Sequence, residues 1–227
     1  NEKEKISDVS EINFLTKKII LTITESLSET DTKVVMSIVS NDNSSHEGIV
    51  IGSEGILMKQ KQLHLCERHN WSTSLSDDVN VLDLSWGRIG VVVGGDSIFP
   101  EVFRLLALRD VDVVAVTSKI LEEWETHYGL IERAAENRMA IIVGSRPSEN
   151  KTSMIVAPNK DFTLWTKWER PFDGSINEPS STIAGNNFGT TIANINPSAS
   201  NNREVTIHTN VVESRPWKLL EPLIKKN

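Results

Sequence analysis

The chain has 227 residues, of which 38% are hydrophobic, and a formal net charge of -7 at pH 7. This length fits one large domain with a sizeable buried core. The acidic balance, without a basic tail or patch, argues against nucleic acid and anionic membranes as partners. The apolar runs are too short to span a bilayer. A single cysteine, Cys66, excludes an intrachain disulfide and predicts a reducing, cytoplasmic location.

The first 32 residues (1–32) are predicted to form a charged N-terminal segment that ends in a helix. Within it, residues 11–28 place apolar side chains at steps of three and four, which is typical of an amphipathic helix. Residues 33–227 form the main domain. That domain opens with a predicted strand at 33–40 and a hairpin at 48–60, because apolar residues alternate on both sides of a Ser-Glu-Gly turn.

The middle of the chain alternates between strands and helices after an irregular polar stretch. Pro100 and Glu101 suit the first turn of a helix, the proline by its fixed φ and the glutamate by its charge near the helix dipole. In a second helix, the helical spacing of Leu121, Trp124 and Tyr128 predicts that Trp124 packs in the core. The predicted elements are strands at 79–85, 89–95, 112–117 and 139–145, and helices from Pro100 to 110 and over 120–137.

The last third of the chain is also rich in strands. Strands are predicted at 152–158 and 162–168, followed by a loop rich in Ser, Asn and Gly and by two closing segments at 190–197 and 203–210. The whole pattern has many strands with few helices between them. It therefore favours two sheets packed face to face with helices outside, rather than a doubly wound sheet.

The sequence offers only weak candidates for a metal or cofactor site. Cys66 and His69 are three residues apart, but no second pair completes the four ligands of a structural zinc site. The glycines of Gly52-Ser-Glu-Gly55 lack the lysine and the helix of a phosphate loop. We therefore expect no metal and no cofactor.

Four stretches of the chain, in order, resemble the carbon–nitrogen hydrolase family, also called the nitrilase superfamily. The match begins at VVMSIV and runs to the C-terminus. The stretches are KQKQLHL (59–65), which is similar to the family's lysine strand, IGVVVGGDSIFPEVFRLLALRDVDVVAVTS (89–118), which is similar to its nucleophile strand, turn and helix, RAAENRMAIIVGSR (133–146) and SMIVAPN (153–159). The resemblance implies an α-β-β-α sandwich in the α/β class.

The resemblance also implies a Cys–Glu–Lys site that acts on nitriles, amides or ureas. In that chemistry a thiolate attacks carbon and forms a thioester-type intermediate. The glutamate acts as general base, and the lysine stabilises the charge of the tetrahedral stage.

This chain departs from the family pattern at each of the three positions. The nucleophile position falls on Gly94, directly before Gly95 and Asp96, and the lysine position falls on Gln62. Lys61 is adjacent, but neighbours on a strand face opposite sides, so it could replace the family lysine only if a bulge shifted the register.

Cys66 and the family's glutamate complete the comparison with the expected pattern. Cys66 follows the end of the lysine strand and is interpreted as a bystander. No strand before Lys33 offers the glutamate. We therefore expect the chain to lack the first strand, first helix and glutamate of the full fold, and to be the C-terminal part of a longer protein.

These departures favour a catalytically degenerate domain that serves binding, regulation or assembly. Its candidate pocket for a small-molecule ligand comprises Gln62, Gly94, Gly95 and Asp96. A sheet without its first strand has an open edge, which we expect an upstream domain or a partner chain to cover.

Two alternatives remain open at this point. The first is an active carbon–nitrogen hydrolase with a rearranged site, in which Lys61, Cys66 and Asp96 are the residues to suspect. The second is a structural subunit that completes an oligomer. The resemblance implies a homo-oligomer that assembles through the helices at 100–110 and 121–137.

Overall fold

The structure is a computed structural model. It describes residues 9–146, 153–158, 180–183, 189–201, 203–206 and 209–219. The strand predicted at 162–168 lies outside the described residues. Within the described part, no helix has the length and apolar character that crossing a membrane requires.

The elements follow the predicted order through most of the chain. The helices are α1 (Val9–Ser26), α2 (Pro100–Leu108) and α3 (Leu130–Asn137). The strands are β1 (Val34–Val39), β2 (His46–Gly52), β3 (Gly55–Lys61), β4 (Val81–Leu84), β5 (Gly87–Val93), β6 (Val113–Thr117), β7 (Ala140–Gly144), β8 (Met154–Ala157), β9 (Ser180–Ile183), β10 (Glu204–Thr206) and β11 (Thr209–Asn210).

Among the described residues, the strands form two principal sheets and one short pair. The first sheet is antiparallel, in the order β1-β2-β3. The second has the order β4-β5-β6-β7-β8-β9, and its central strands β5, β6 and β7 run parallel. β10 and β11 form the short antiparallel pair. The hairpin predicted at 48–60 is the β2–β3 pair, and its turn residue Gly55 has φ +101.

The two sheets pack face to face, with helices on both outer sides. Val50 and Met58 of the first sheet pack against Val91 and Val93 of the second. On the far side of the second sheet, α2 contributes Phe103 and Leu106 to the largest apolar cluster, to which α3 adds Leu130 and Ala134. α1 covers the outer face of the first sheet, where Ile20 and Ile23 pack near Ile49. The predicted α-β-β-α sandwich is therefore confirmed.

The helix predicted at 120–137 differs from the structure in its buried face. It begins with a π-helical turn over Glu125–Gly129, in which the N–H of Leu130 donates to the carbonyl of Glu125, five residues back. This wider turn shifts the register of the side chains. Trp124 is 45% exposed and Tyr128 is 74% exposed, whereas Glu125 and Leu130 are buried. The prediction that Trp124 packs in the core was wrong for this reason.

The C-terminal third shows a second difference. Strand β9 lies where the sequence predicts a loop, and it pairs with β8 in antiparallel register from Met154↔Ile183 to Ala157↔Ser180. Its sequence, Ser-Ser-Thr-Ile, has too little alternation to signal a strand by itself. The ladder with β8 supplies the backbone hydrogen bonds that stabilise it.

Candidate functional site

The candidate site is built around the turn that follows β5. A short 3-10 turn over Gly94–Ile98 connects this buried strand to α2, which begins at Pro100. Gly94 has φ +55, a left-handed conformation that residues with a side chain rarely adopt. The Gly94 carbonyl accepts hydrogen bonds from the Ser97 hydroxyl at 3.0 Å and the Ser118 hydroxyl at 2.8 Å. The turn is thus held from two sides.

Gln62 lies beside this turn, immediately after the end of β3. Its side chain is fully buried. Its Nε2 donates a hydrogen bond to the backbone carbonyl of His64, which orients Oε1 away from His64. A β-carbon built on Gly94 would lie 2.9 Å from Oε1 of Gln62. The structure therefore brings the two predicted positions, Gln62 and Gly94, into contact.

Asp96 fastens the turn to the end of β3. Its buried carboxylate accepts hydrogen bonds from the backbone N–H of Leu63 at 2.7 Å and of His64 at 2.9 Å, and it contacts Nδ1 of the His64 ring at 2.9 Å. Burial raises the pKa of Asp96, although these hydrogen bonds oppose the increase. Asp96 therefore acts on the site mainly by positioning the segment that carries Gln62.

Lys61 faces away from the turn. Its Nζ donates to the hydroxyl of Ser74 at 3.1 Å. The β2–β3 register is regular from Glu47↔Lys61 to Val50↔Met58, and its one shift lies between Val50 and Ile51, at the other end of the hairpin. The register shift that would let Lys61 replace the family lysine is therefore not found at Lys61.

Cys66, in contrast, lies against the turn. A β-carbon built on Gly95 would overlap the Cys66 Sγ and lie 3.0 Å from its Cβ. The thiol therefore packs into the space that Gly95 leaves. Of the three residues suspected in a rearranged site, the structure places Asp96 and Cys66 near the turn and Lys61 away from it.

Two histidines also meet at Gly94. The sequence singled out His69 only as the partner of Cys66 in an incomplete zinc pair, and it did not single out His46. Nδ1 of His46, at the start of β2, would lie 2.9 Å from a β-carbon on Gly94, and Nδ1 of His69 would lie 3.0 Å from it. The two ring centroids are 4.5 Å apart. Twenty-three positions separate the histidines in the chain. The one signal for His46 in the sequence is the predicted hairpin, because pairing of β2 with β3 sets His46 beside Gln62. In the structure the Gln62 N–H donates to the His46 carbonyl at 2.9 Å.

The surroundings of both imidazoles favour their neutral forms. Burial lowers the pKa of His46 to about 4, with a smaller contribution from the neighbouring His69. Burial also lowers the pKa of His69, and the charges of Arg68 and Lys119 add to this effect. Nδ1 of His46, Nδ1 of His69 and Oε1 of Gln62 are buried, and none makes a hydrogen bond of acceptable geometry with another protein atom.

A pocket of about 330 Å³ opens beside this group, at the carboxyl ends of β6 and β7. This volume suits a small ligand. Lys119 and Arg146 line the pocket, and none of its lining residues in the described part is Asp or Glu. The hydroxyl of Thr117, another lining residue, is buried without a hydrogen-bond partner. The pocket therefore carries positive charge, in a protein whose overall charge is negative.

An ion pair anchors the short segment that carries Cys66 and His69. Arg68 donates two hydrogen bonds to the Glu125 carboxylate, at 2.8 and 2.9 Å. The Glu125 carboxylate also accepts from the backbone N–H groups of Leu121 and Glu122. Burial opposes ionisation of Glu125, but the hydrogen bonds outweigh it and lower its pKa.

The described residues contain no group of three His, Cys, Asp or Glu side chains close enough to hold a metal ion. The histidine pair at Gly94 therefore lacks a third ligand of those types.

Sequence comparison finds relatives among nitrilases. Over 171 residues the chain is 25% identical to a nitrilase of Pyrococcus abyssi, a match that covers 66% of this chain and 65% of that protein. Over 88 residues it is 26% identical to a probable nitrilase of Schizosaccharomyces pombe, covering 38% of this chain and 32% of that protein. The chain spans less than two thirds of the length of either relative. No family model matches it.

Structure comparison finds the same fold in solved amidases. An amidase from Nesterenkonia sp. superposes with a TM-score of 0.64 over 96% of this chain and 75% of that one, at 13% identity. A variant of the Nesterenkonia AN1 amidase, from the nitrilase superfamily, gives a TM-score of 0.59 over 78% of this chain and 68% of that one, at 16% identity. At these identities the structural likeness establishes a shared fold.

Proposed function

We propose that this chain, which belongs to the carbon–nitrogen hydrolase superfamily, binds a small polar molecule beside Gly94 without hydrolysing it by the superfamily's cysteine route. The observation that carries the proposal is the left-handed glycine on the turn between β5 and α2. A glycine has no atom that could attack a carbonyl or nitrile carbon. Loss of the nucleophile in triad-type enzymes lowers turnover about 10⁶-fold.

The side chain at the lysine position supports the same conclusion. Gln62 presents a carbonyl oxygen to Gly94, because its Nε2 is engaged by the His64 carbonyl. An oxygen acceptor cannot stabilise the negative charge of a tetrahedral intermediate, which requires a donor or a cation. The site thus lacks both the attacking group and the charge stabilisation of that chemistry.

The remaining polar groups favour binding. The pocket beside the turn is open to solvent and is lined by Lys119, Arg146 and the unpartnered hydroxyl of Thr117. Buried polar groups without partners are unfavourable, so a ligand that supplies hydrogen bonds to them would be stabilised there. A small amide, with one donor and one acceptor end, fits these requirements.

The proposal is tested with butyramide as the probe. We expect binding in the millimolar range, seen as chemical-shift changes of the His46 and His69 ring protons, and no ammonia release above the buffer background. The variant Thr117→Val should weaken binding, whereas His127→Ala, which changes an exposed histidine outside the pocket, should leave it unchanged. Ammonia release that saturates with butyramide, or unchanged histidine signals at saturating amide, would contradict the proposal.

An active hydrolase with a rearranged site is the second candidate. The observation that favours it is the position of the Cys66 thiol against Gly95, next to the superfamily's nucleophile position. This candidate requires that the wild-type chain releases ammonia from butyramide and that Cys66→Ala does not. It also requires a covalent adduct on Cys66, detectable by intact mass after incubation with fluoroacetamide.

We also propose two contact surfaces for assembly. The helices around residues 100–110 and 121–137 expose large apolar side chains, namely Leu105, Leu108, Trp124 and Tyr128. We propose that a second copy of the chain packs on them. β1 is an edge strand of the first sheet, and we propose that an upstream segment or a partner chain pairs with it, since unpaired edges are usually covered.

A further inference from the structure

Three buried polar atoms converge beside the Cα of Gly94. They are Nδ1 of His46, Nδ1 of His69 and Oε1 of Gln62, each 2.9 to 3.0 Å from the position of the absent β-carbon. We propose that these three residues bind one divalent transition-metal ion. The proposal is independent of amide binding in the adjacent pocket, so either can fail without the other.

Each of the three atoms can act as an electron-pair donor to one ion. Oε1 of Gln62 is fixed as an acceptor, because the amide nitrogen is held by the carbonyl of His64. Each neutral imidazole carries one ring nitrogen with a free lone pair. When Nδ1 is the unprotonated nitrogen on both rings, three lone pairs face the same small space and repel one another. A cation among them converts the repulsion into three favourable contacts.

A water molecule satisfies this arrangement less well. Water has two protons, so it cannot donate to three acceptors at once. It fits only if one imidazole is protonated at the Nδ1 that faces Gly94, which makes that nitrogen a donor. A metal ion needs no such proton. The two arrangements differ in metal affinity and are therefore separable by experiment.

The ligand types indicate which metals fit. Imidazole nitrogen favours zinc, copper, nickel and cobalt, while magnesium and calcium prefer sites made of oxygen. Three protein ligands leave at least one coordination position free, as in open zinc sites. Here that position faces the pocket, because His46 and His69 both line it. The site would thus accept a small molecule or water as its further ligand.

The glycine at position 94 is what lets the three ligand atoms approach one another. Any β-carbon there would lie at 2.9 to 3.0 Å from all three ligand atoms and would occupy the space between them. Gly55, in the β2–β3 hairpin, provides a matched control. It also has a positive φ, +101, but a β-carbon on it would meet nothing within 4 Å.

The test is titration of the tag-free, chelator-treated full chain with Co²⁺, followed by visible absorption, with Zn²⁺ as competitor. We expect one ion per chain, displaced by one equivalent of Zn²⁺ but not by a hundredfold excess of Mg²⁺. His46→Ala, His69→Ala and Gln62→Leu should each raise the Kd at least tenfold, and His127→Ala should not change it. Gly94→Ala should abolish binding, whereas Gly55→Ala should retain it.

Imidazole ¹⁵N chemical shifts of the unmodified chain give a readout that does not depend on the folding of any variant. Zn²⁺ should shift Nδ1 of His46 and His69 together, at one equivalent. The proposal is overturned if neither ring responds to 100 μM Zn²⁺, or if the ion binds but Gly94→Ala and His127→Ala bind it equally well.

Discussion

Gly94 and Gly95 are neighbours in the chain, but each makes room for a different group. The space at Gly94 faces His46, His69 and Gln62, whereas the space at Gly95 holds the thiol of Cys66. At the residue scale, the packing of the site therefore depends on these two glycines. Buried cores tolerate little added volume, so each glycine is expected to resist substitution.

The contact at Gly95 predicts a coupled pair of substitutions. Gly95→Ala should lower the free energy of unfolding by about 1–3 kcal/mol, because its β-carbon would overlap the Cys66 Sγ. Urea denaturation of the two single variants and of the double variant with Cys66→Ala measures the coupling. The second substitution should recover part of the loss, since it removes the closest atom. Strict additivity of the two effects would show that the thiol does not occupy this space.

At the scale of elements, the site depends on how a short turn is fixed to a helix. The turn over Glu67–His69 carries one of the imidazoles, and Arg68 within it pairs with Glu125 of the π-helical turn before α3. Glu125 is 3% exposed and Arg68 is mostly buried. Removing one partner of a buried ion pair leaves the other charge without compensation, which is strongly destabilising.

This ion pair predicts a pH-dependent stability. Glu125→Gln should lower the free energy of unfolding by about 3 kcal/mol at pH 7. The pKa of Glu125 lies below its ordinary value of 4.5 in the folded chain. The contribution of its carboxylate is therefore complete above about pH 4.5 and is lost as the pH falls through the lowered pKa.

The measurement is urea denaturation of both proteins at several pH values between 3.5 and 7. The difference between wild type and Glu125→Gln should shrink below about pH 4.5. Glu123→Gln, on an exposed neighbouring glutamate, serves as the control and should change stability little at any pH. A constant difference across the range would mean that the ion pair does not stabilise the fold through its charge.

At the scale of the whole molecule, the parallel strands gather the site at one end of the second sheet. β5 ends directly before Gly94, β6 ends at Thr117 directly before Ser118, and β7 ends at Gly144 beside the pocket. The carboxyl ends of parallel strands are the usual location of ligand sites in α/β proteins. On the other side of that sheet, α2 exposes Leu105 and Leu108.

The exposed helix faces predict self-association. Leu105→Glu should shift the chain from dimer to monomer, because it places a charge in an apolar contact formed by α2. Sedimentation equilibrium between 1 and 100 μM measures the change. Leu21→Glu, which alters a similarly exposed leucine on α1, is the matched control and should leave the mass unchanged. A wild-type chain that stays monomeric at 100 μM would contradict the proposed surface.

The amino-acid sequence by itself determined the local elements and the order of the layers. The strong alternation around Gly55, the buried run before Gly94 and the proline that opens α2 each reflect constraints within a few residues. The juxtaposition of Gln62 and Gly94 was also predictable, through the resemblance of their two strands to one family.

Only the tertiary structure decided which further side chains meet at the turn. His46 and His69 converge because β2 pairs with β3 and because Arg68 is anchored to Glu125. Cys66 reaches Gly95 because Arg68 is anchored to Glu125. Trp124 is exposed because a π-helical turn shifts the buried face of its helix. Such contacts depend on strand register and on one extra residue in a turn. Residue periodicity carries no information about either, because it reports only which face of an isolated element is apolar.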